Sequence, residues 1–524
     1  MKKELLETDV LIIGTGIAGA TAAIKINEEK PDARIIILTR ASSPNESNTN
    51  YAQGGIIAKG GSDLVQDILK SADEIGLPEA AQVLADEGPE LVEKILSRIA
   101  KVPFDQEKDG KMSYALEGGH QVPRVAKVSD FTGRSIQEHL SDTLKKIKNV
   151  TIIENLTAVD LLTTGHQTND WLNKYKTDTC LGIYAFDQKD GQISRILAKK
   201  TVLATGGNGQ IYAFTTNPKG ARGDGIAMAH RAGAKLLNME FEQFHPTALK
   251  LPGAPPFLIS EAVRGEGARL TNSKGVPFMQ KYYPDLEKPD LTTRDKVSRA
   301  IFTEMIETGE SNVYLDLKSY ISKEEILKHF PMIHETCLKY GIDITKDLVP
   351  VSPAAHYSCG GVLTDLQGRS NINNLFAIGE VSCTGLHGGN RLASTSLLEG
   401  LVIGNRAGKT IAEEISNQYS PDSQSVPRWN YFKKFPADSA LLISDATTIK
   451  NIMWNMVGLV RKTPLLERAI TDLTQMENTI NKFYRDATLS DELLGLRNLV
   501  LVSLIVAKAA YANPRSIGCH FREN

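Results

Sequence analysis

Short apolar runs alternate with segments of helical spacing at the start of the chain. Residues 10–13 form an unbroken apolar run, which is typical of a strand buried on both faces of a parallel sheet. A helix is predicted from Ile17 and its end is marked by Pro31, while the sequence RIIIL over 34–38 predicts the next strand. This order of strand, glycine turn, helix and strand predicts a βαβ unit.

The same pattern returns later in the chain, after an interruption. A helix is predicted over 133–147, a strand from Val150, and a hairpin over 178–199, where alternating runs flank QKDGQ. Residues 236–350 are richer in proline and charge, and the character of a buried strand returns at 373–381. We therefore predict an α/β domain that is interrupted by an inserted α+β domain.

The carboxyl-terminal part carries apolar residues at three- and four-residue spacing, which predicts a small helical bundle. Its helices are predicted over 444–461, 463–485 and 490–511, after a polar linker at 416–431. The predicted domains are the α/β domain at 1–236 and 352–416, the inserted domain at 237–351 and a three-helix domain at 425–524.

Composition narrows the class of protein. Lysine and arginine (60) nearly balance aspartate and glutamate (62), and the net charge of −2 argues against a general nucleic-acid binder. The five cysteines are far apart and show no C-x-x-C spacing, so we expect buried thiols and no metal site. Glu4, Glu7 and Asp9 interrupt a segment that resembles a secretory leader, and no apolar stretch is expected to reach the length of a membrane span. We expect a soluble, cytoplasmic protein.

The sequence VLIIGTGIAGATAA places three glycines at dinucleotide-binding spacing between a predicted strand and a predicted helix. Gly14 allows the tight turn, Gly16 allows a pyrophosphate to approach, and Gly19 allows the helix to pack closely. A bare tight turn is the alternative. The second strand ends in Thr39 and Arg40, where an NAD site would carry an acidic residue, so FAD is the favoured dinucleotide.

Further motifs belong to the same pattern. Two more glycine-rich loops, SNTNYAQGGI and VLATGGNG, are accompanied by LFAIGE and RLASTSLLEG. With these motifs the chain resembles the flavoproteins of the succinate dehydrogenase and fumarate reductase family. The resemblance extends through MEFEQFHPTAL, SEAVRGEGARL, TTRDKVSRAI, PAAHYSCGGV and LHGGNRLAS, and so covers nearly the whole chain.

The resemblance implies an FAD-binding, Rossmann-like α/β domain with an inserted capping domain and a helical carboxyl-terminal bundle. Glu380 would hold the ribitol of FAD, and Ser396 and Leu397 would present backbone amides to the flavin ring. Asn48 stands where the membrane-bound succinate dehydrogenases have the histidine that bonds to FAD, so non-covalent FAD is expected. The other residues expected around the cofactor are Gly14, Thr15, Gly16, Ile17, Ala18, Gly19, Thr39, Arg40, Thr49, Asn50, Tyr51, Ala52, Gln53, Gly54, Gly55, Thr205, Gly206 and Asp224.

Within the family, EGGH and IMWNMVGLVRK are similar to the branch that oxidises L-aspartate. This likeness implies oxidation of L-aspartate to iminoaspartate, with hydride passing from Cα to flavin N5. The flavin would be reoxidised by oxygen or fumarate. The product would feed quinolinate synthesis, the first leg of making NAD, and functional coupling to quinolinate synthase is a further expectation. The alternatives are a soluble fumarate reductase or succinate dehydrogenase flavoprotein and, in another class, a non-catalytic flavin-binding subunit.

A dicarboxylate substrate also follows from the residue types. Arg391 offers a planar fork for one carboxylate. His245, His356 and the Ser260 hydroxyl can donate to the other carboxylate. Taken singly, each histidine could instead be a structural residue, and Arg391 could be a surface ion pair.

Arg294 matches the proton-transferring arginine of the family. Because the free pKa of arginine is above about 12, such a residue must act in a relay with acids. Glu261 and Asp295 are the candidate partners in this sequence. Arg264 and Arg299 are expected to make structural ion pairs.

Glu117 precedes two glycines in the sequence LEGGHQ. Aspartate differs from succinate by one cationic group, so a site that prefers aspartate needs an acid near Cα. The resemblance assigns this role to Glu117, and Gly118 and Gly119 would let its loop pack close to the flavin. The alternatives are a surface acid or an ion-pair partner for Arg124.

Overall fold

The computed structural model describes residues 4–73, 75–169, 171–415, 421–429 and 435–523, so part of the predicted linker at 416–431 lies outside the described residues. The helices are Ile17–Glu29 (α1), Ser62–Ser71 (α2), Pro78–Leu91 (α3), Thr132–Leu144 (α4), Asp224–Arg231 (α5), Glu261–Gly265 (α6), Met279–Tyr282 (α7), Arg294–Thr308 (α8), Lys323–His329 (α9), Pro331–Lys339 (α10), Thr395–Glu414 (α11), Ser439–Met456 (α12), Thr463–Asp486 (α13) and Asp491–Ala512 (α14). The strands are Leu5–Ile13 (β1), Ile35–Leu38 (β2), Ile56–Ile57 (β3), Val125–Ala126 (β4), Val150–Ile153 (β5), Leu156–Thr163 (β6), Cys180–Asp187 (β7), Ile193–Leu203 (β8), Leu236–Leu237 (β9), Glu242–Leu249 (β10), Arg269–Thr271 (β11), Val313–Asp316 (β12), Val349–Ser358 (β13), Gly361–Leu363 (β14), Leu375–Ala377 (β15), Ser382–Cys383 (β16), Arg461–Lys462 (β17) and Arg522–Glu523 (β18).

A seven-stranded sheet lies at the centre of the fold. Its strands follow the order β5-β2-β1-β8-β7-β6, and β15 also pairs with β8. The strands β5, β2, β1, β8 and β15 are parallel, while β6 and β7 are antiparallel additions. The predicted βαβ start and the hairpin around QKDGQ are confirmed, and the α/β architecture with them.

Alternate residues of β1 belong to different cores, because successive side chains of a strand point to opposite faces of the sheet. Val10 and Ile12 pack in one buried cluster with residues of α1, α4 and α11. Leu11 and Ile13 pack in another, with residues of α5 and α14. Both faces of the sheet are therefore covered, which explains the unbroken apolar run over 10–13.

A second, antiparallel sheet lies in the middle of the chain. It has the order β10-β13-β12-β11. Helices α6 to α8 and strands β11 to β13 contribute to a separate buried cluster that begins at Leu249 and ends at Val351. The predicted boundary at 352 falls inside β13, which runs to Ser358 and pairs with β10.

The carboxyl-terminal segment contains the helices α12, α13 and α14. The first ends at Met456, so the predicted extension to residue 461 is wrong. Arg461 is fully buried: its Nη1 donates to the distant carbonyl oxygen of Glu240, and its Nε donates to the carbonyl oxygens of Val457 and Gly458. These bonds satisfy carbonyl groups near the end of α12, and the chain then enters β17.

Helix α14 corrects another prediction, because it is long and apolar enough to cross a membrane. Its most apolar window has a mean hydropathy of 1.8, and 72% of that window is buried inside the protein. It packs against α12 and α13. A helix with apolar residues on all sides can be buried in a protein core or in a bilayer. Most of the apolar surface of α14 is buried against other parts of this protein.

Candidate active site

One cavity extends from the glycine loop after β1 to the strands β10 and β13. The residues expected around the cofactor that line it are Gly14, Thr15, Gly16, Ile17, Ala18, Thr39, Arg40, Asn48, Thr49, Tyr51, Ala52, Gln53, Gly54, Gly55, Thr205, Gly206, Asp224, Glu380, Ser396 and Leu397. The residues expected at the substrate also line it: Glu117, His245, Ser260, Glu261, Arg294, His356 and Arg391. The two groups, far apart in sequence, thus face one space.

Two of the expected cofactor residues do not line this cavity. Gly19 faces the protein interior, where a Cβ atom would lie 2.3 Å from the carbonyl oxygen of Gly14, which agrees with its predicted packing role. Asn50 lies in the turn Asn48–Tyr51, where its backbone N–H donates to Ser47. The structure therefore does not place Asn50 at the cofactor.

The amino end of α1 is built for an anionic group. At Gly14, φ is +117°, and a Cβ atom would lie 2.0 Å from the carbonyl oxygen of Ala204, so this tight turn requires glycine. The N–H of Ile17, the first residue of α1, donates to Thr49 Oγ1, while the cap residue Gly16 has no side chain with which to bond the amides that follow. Thr205 Oγ1 and Gln53 Oε1 line the cavity and are buried without a hydrogen-bond partner. A dinucleotide fits this set of open donors and unpartnered polar atoms.

Glu380 and Asn48 meet in the middle of the cavity. Asn48 Nδ2 donates to Glu380 Oε2 at 2.7 Å, and the N–H of Ser358 donates to Oε1 at 3.2 Å. Burial raises the pKa of Glu380 to about 7. The carboxyl therefore exists in both protonation states near neutral pH, and can accept from or donate to a ribitol hydroxyl.

Helix α14 supports residues that line this cavity without lining it itself, a contact that the sequence did not predict. Asp491, in its first turn, accepts hydrogen bonds from Arg40 and Arg222. Arg222 also donates to Asp224, and Asn498 of α14 donates to the same carboxylate. Two residues expected at the cofactor, Arg40 and Asp224, are thus fixed by the carboxyl-terminal helices.

Arg391 and Arg294 share one hydrogen-bond acceptor. Gln243 Oε1 lies 3.0 Å from Arg294 Nη1 and 3.0 Å from Arg391 Nη2, and it accepts from both. The amide nitrogen of Gln243 donates to Asn390 and to the carbonyl oxygen of Arg391. Arg391 Nη1 also donates to Ser396, and its guanidinium lies 4.4 Å from the centre of the Tyr357 ring. The two guanidinium groups are therefore held side by side, and burial lowers the pKa of Arg391 to about 10, helped by the charge of Arg294.

The two histidines face each other, with their ring centres 5.2 Å apart. The N–H of Thr247 donates to His245 Nδ1, so the neutral ring carries its proton on Nε2, which is buried without a partner. His356 Nδ1 lies 2.9 Å from Thr216 Oγ1. Burial, followed by the charge of Arg294, holds the pKa of both histidines well below the ordinary value. Both are neutral donors at neutral pH.

Glu261 is the acid that contacts Arg294, with Oε2 2.9 Å from Nε. Burial alone would raise the pKa of Glu261, but Arg294 and Arg264 outweigh it and the pKa is lowered. Asp295, the other candidate for the relay, binds Arg299 and Asn390 instead. The Arg299–Asp295 pair is the structural ion pair that was expected, and Asp295 has no contact with Arg294 that would support a relay.

Glu117 is buried and lines the cavity, which excludes the surface-acid interpretation. Its Oε2 accepts from Ser394 Oγ at 2.6 Å. Arg124 pairs with Asp67 at 3.2 Å, so the alternative of a Glu117–Arg124 pair is also wrong. At Gly118, a Cβ atom would lie 1.8 Å from Glu261 Oε1, which explains why this turn needs a glycine next to the substrate pocket.

The charges of the pocket are separated. Arg294 and Arg391 line the cavity, and Glu261 is ion-paired with Arg294, so Arg391 is left without an ion-pair partner among the described residues. One carboxylate of a substrate would balance this charge, and the neutral donors of His245 and His356 suit a second carboxylate. Glu117 forms no ion pair with an arginine in the part of the chain that the structure describes and accepts from a neutral hydroxyl, so it is the part of the pocket that suits a cation. Ser260 Oγ accepts from the N–H of Ala262 and keeps its own proton free to donate.

The sequence did not single out four residues of this site: Gln243, Thr216, Tyr357 and Ser394. Gln243 lies two residues before His245 on β10, so the period of a strand places both on one face and was an available signal. Nothing local marks Ser394, whose bond to Glu117 spans 277 residues. All five cysteines are buried and free, as expected, and the described residues contain no group of three or more His, Cys, Asp or Glu suited to a metal.

The chain matches known protein families over most of its length. Residues 9–397 match the family described as FAD binding domain, and residues 446–524 match the family described as fumarate reductase flavoprotein C-term. Among solved structures, quinol fumarate reductase FrdA of E. coli is 26% identical, with a TM-score of 0.88 over 99% of this chain and 92% of that chain. Sdh1 of Mycobacterium smegmatis is 29% identical, with a TM-score of 0.81 over 99% and 89%.

Curated relatives are more similar in sequence. L-aspartate oxidase 1 of Ralstonia nicotianae is 39% identical over 521 residues, which cover 98% of this chain and 94% of the relative. L-aspartate oxidase of Acinetobacter baylyi is 38% identical over 524 residues, which cover 98% and 92%. The chain therefore belongs to the L-aspartate oxidases, within the FAD-binding flavoproteins of the succinate dehydrogenase and fumarate reductase family.

Proposed function

We propose that this protein oxidises L-aspartate to iminoaspartate with a non-covalently bound FAD, which oxygen or fumarate reoxidises. The observation that carries the proposal is the position of Glu117, a buried carboxylate in the same cavity as Arg391, Arg294 and the two histidines. This arrangement offers guanidinium groups and neutral hydrogen-bond donors for two carboxylates, and negative charge for one ammonium group. L-aspartate is a four-carbon diacid that carries this set of charges.

Each part of the substrate has a proposed partner among the residues of this chain. Arg391 holds one carboxylate through its guanidinium fork, and Arg294 lies beside it. His245 Nε2, His356 and Ser260 donate hydrogen bonds to the other carboxylate. Arg294 is proposed to hold and move a proton, with Glu261 as its ionised partner at 2.9 Å. Glu117 Oε1 binds the ammonium group, because Oε2 is already engaged by Ser394.

The glycine loop, Glu380, Asn48 and the Ser396–Leu397 step would hold FAD, which supplies a two-electron acceptor when bound. The chain's own contribution is to orient the substrate against that acceptor and to exclude water: Arg391, His245 and Glu261 are each less than 5% exposed. We further propose that residues 237–351 act as a capping domain and residues 425–524 as a separate helical domain. A cytoplasmic location, a role in the first step of NAD synthesis through quinolinate, and coupling to quinolinate synthase belong to the same proposal.

A fumarate reductase or succinate dehydrogenase flavoprotein is the second candidate, because structures of that family match nearly the whole chain. Such an enzyme needs no carboxylate for an ammonium group, so Glu117 disfavours it. A non-catalytic flavin subunit is disfavoured by the buried set of His245, Arg294, His356 and Arg391, which a scaffold does not require.

The test is the substitution Glu117→Gln, which keeps the shape and removes the charge. Anaerobic flavin reduction by aspartate should slow sharply, while fumarate reduction with an artificial electron donor should stay near that of the wild type, since fumarate has no amine. Amine release from aspartate by the wild-type protein is the positive control. A wild-type protein that reduces fumarate but does not oxidise aspartate would favour the second candidate, and a Glu117→Gln protein that loses both activities would show that Glu117 is not specific for the amine.

A further inference from the structure

A buried polar cluster lies behind Glu117, and the proposed function leaves most of it without a role. It consists of Glu117, His120 and Arg124 from one loop and Asp67 from α2, each less than 10% exposed. Gln121 extends it, because both its backbone N–H and its side-chain amide donate to Asp67. Burying four titratable groups in one place is costly unless they are paired or used.

The geometry of His120 is specific. Its backbone N–H donates to the carbonyl oxygen of Glu117 at 3.2 Å, so the two residues close one tight turn. Its Nε2 lies 3.0 Å from the carbonyl oxygen of Ala393, and a carbonyl only accepts, so Nε2 carries the proton. In the neutral ring Nδ1 is therefore a bare acceptor, and it is buried without a hydrogen-bond partner.

The same loop that orients His120 also orients Glu117. Ser394, the residue after Ala393, donates to Glu117 Oε2 at 2.6 Å. Ser394 has φ of +60°, an uncommon conformation for a residue other than glycine, which indicates that its direction is imposed by the surrounding structure. The carboxylate and the imidazole are thus held by two consecutive residues at the amino end of α11.

The net charge of the cluster can be neutralised by one proton. Glu117 and Asp67 are acids and Arg124 is a base, so the cluster carries one negative charge in excess while His120 is neutral. Glu261 faces His120 from α6, but it is paired with Arg294. One added positive charge is therefore stabilised, and it can reside on a substrate ammonium group or on the His120 ring.

The proposed reaction requires such a transfer. An ammonium group has no free electron pair on nitrogen, and the carbon–nitrogen double bond of an imine needs that pair. We propose that His120 accepts, through Glu117, the proton that the ammonium group of the substrate loses before the double bond forms. One N–H bond of the substrate breaks and leaves its electron pair on nitrogen, Glu117 takes up the proton, and His120 Nδ1 receives it. The electrons of the Cα–H bond go to the FAD of the proposed function, on which this inference rests.

The protonation state of His120 suits this role. Burial lowers the pKa of His120, and the nearby charge of Glu117 offsets part of that effect. The ring is therefore neutral before the substrate binds and gains stability as a cation only when a proton arrives from the substrate side. Because His120 acts through Glu117 and does not line the cavity, it is a positioning and proton-accepting residue.

The test is the variant His120→Gln, studied as the FAD-loaded full-length protein. Glutamine can still donate to the carbonyl of Ala393, but it cannot accept a proton. At neutral pH, kcat/KM for aspartate should fall about 100-fold, a typical contribution of a proton-accepting group. The loss should shrink as the pH is raised towards the pKa of the substrate's own ammonium group. The succinate dissociation constant, read from the flavin spectrum, and the rate of fumarate reduction should stay within about twofold of the wild type.

His139→Gln is a matched control, because His139 also bonds a backbone carbonyl through one ring nitrogen and lies outside the cavity. An equal loss at every pH, or a pH profile like that of the wild type, would overturn the role of His120. If the variant fails to fold, the test uses the dependence of the two wild-type activities on pH. The rate of aspartate oxidation should fall as the pH is lowered, and the rate of fumarate reduction should not show this fall. The absence of this difference would refute the inference. A wild-type protein inactive on aspartate would overturn the proposed function instead.

Discussion

Replacing Arg391 by leucine is the perturbation whose size the structure defines best. Arg391 is 4% exposed, and its guanidinium is held by Gln243 and Ser396 and lies over the ring of Tyr357. A carboxylate that binds this group does so away from water. Truncating one partner of such a buried, charged hydrogen bond costs about 2–5 kcal/mol. Since each 1.4 kcal/mol is about tenfold in affinity, the expected loss is about 30-fold to several thousand-fold.

Two features of the site decide where in this range the loss falls. Burial lowers the pKa of Arg391 to about 10, so holding this cation in the empty site is unfavourable, and its removal returns part of the lost free energy. Arg294 shares the same Gln243 oxygen and remains able to attract the carboxylate. Both effects reduce the loss, and we expect about 100-fold, in the lower half of the range.

The assay is titration of the FAD-bound protein with succinate, followed by the flavin spectrum, which measures binding without turnover. Arg391→Lys keeps the charge but loses the planar fork, and should weaken binding by about tenfold. Arg369→Leu, which removes a half-exposed arginine paired with Asp365 and Glu414, should leave binding unchanged. If Arg391→Leu binds succinate as tightly as the wild type, the carboxylate is held elsewhere and the arrangement proposed for the substrate is wrong.

Three further predictions concern the relay, the cofactor link and pH. Arg294→Leu should bind FAD but lose flavin reduction by aspartate, measured by stopped flow; near-normal reduction would remove Arg294 from the chemistry. Acid precipitation should leave yellow flavin in the supernatant, because Asn48 offers no covalent link; colour retained in the washed pellet would contradict this. Burial raises the pKa of Glu380 from 4.5 to about 7, so the folded apoprotein binds a proton that the unfolded chain releases, and loses stability as pH rises through that interval. Glu380→Gln should therefore be more stable than the wild type near pH 8, by about 3 kcal/mol at most, and show no such gain near pH 4 in urea unfolding.

The sequence predicted the parts of the fold that depend on local patterns. The apolar run over 10–13, the three glycines after it and the hairpin around QKDGQ each specify their geometry within about thirty residues. The length of α14 was predicted correctly, but its apolar stretch was underestimated, because Ser503 and Lys508 interrupt that stretch in the sequence. Ser503 is fully buried and Lys508 exposed, so neither interrupts the helix or its packing.

The sequence could not supply the partners of the site residues, because those contacts join distant segments. Gln243 meets Arg391 across 148 residues, and Asp491 meets Arg40 across 451. The choice between Glu261 and Asp295 as partner of Arg294 depends on the direction in which each carboxylate points. Asp295 is next to Arg294 in sequence, yet its carboxylate points to Arg299 one turn along α8.

The contacts of one short loop connect the proposals made for this site. Arg391 faces the carboxylate pocket, Ala393 accepts from His120, Ser394 donates to Glu117, and Ser396 with Leu397 lines the cavity expected to hold the flavin. Residues 391–394 lead directly into α11, which contains Ser396 and Leu397 and packs against α1 and so against the glycine turn. One helix and the residues before it therefore connect the groups proposed to bind the two ends of the substrate with those proposed to hold the cofactor. In the proposed arrangement the arginines bind only what aspartate, succinate and fumarate share, and the choice among these acids rests on Glu117 and His120, which bond Ser394 and Ala393. Specificity in this fold can then change through the contacts of Ala393 and Ser394 while the sheet and the cofactor site stay the same.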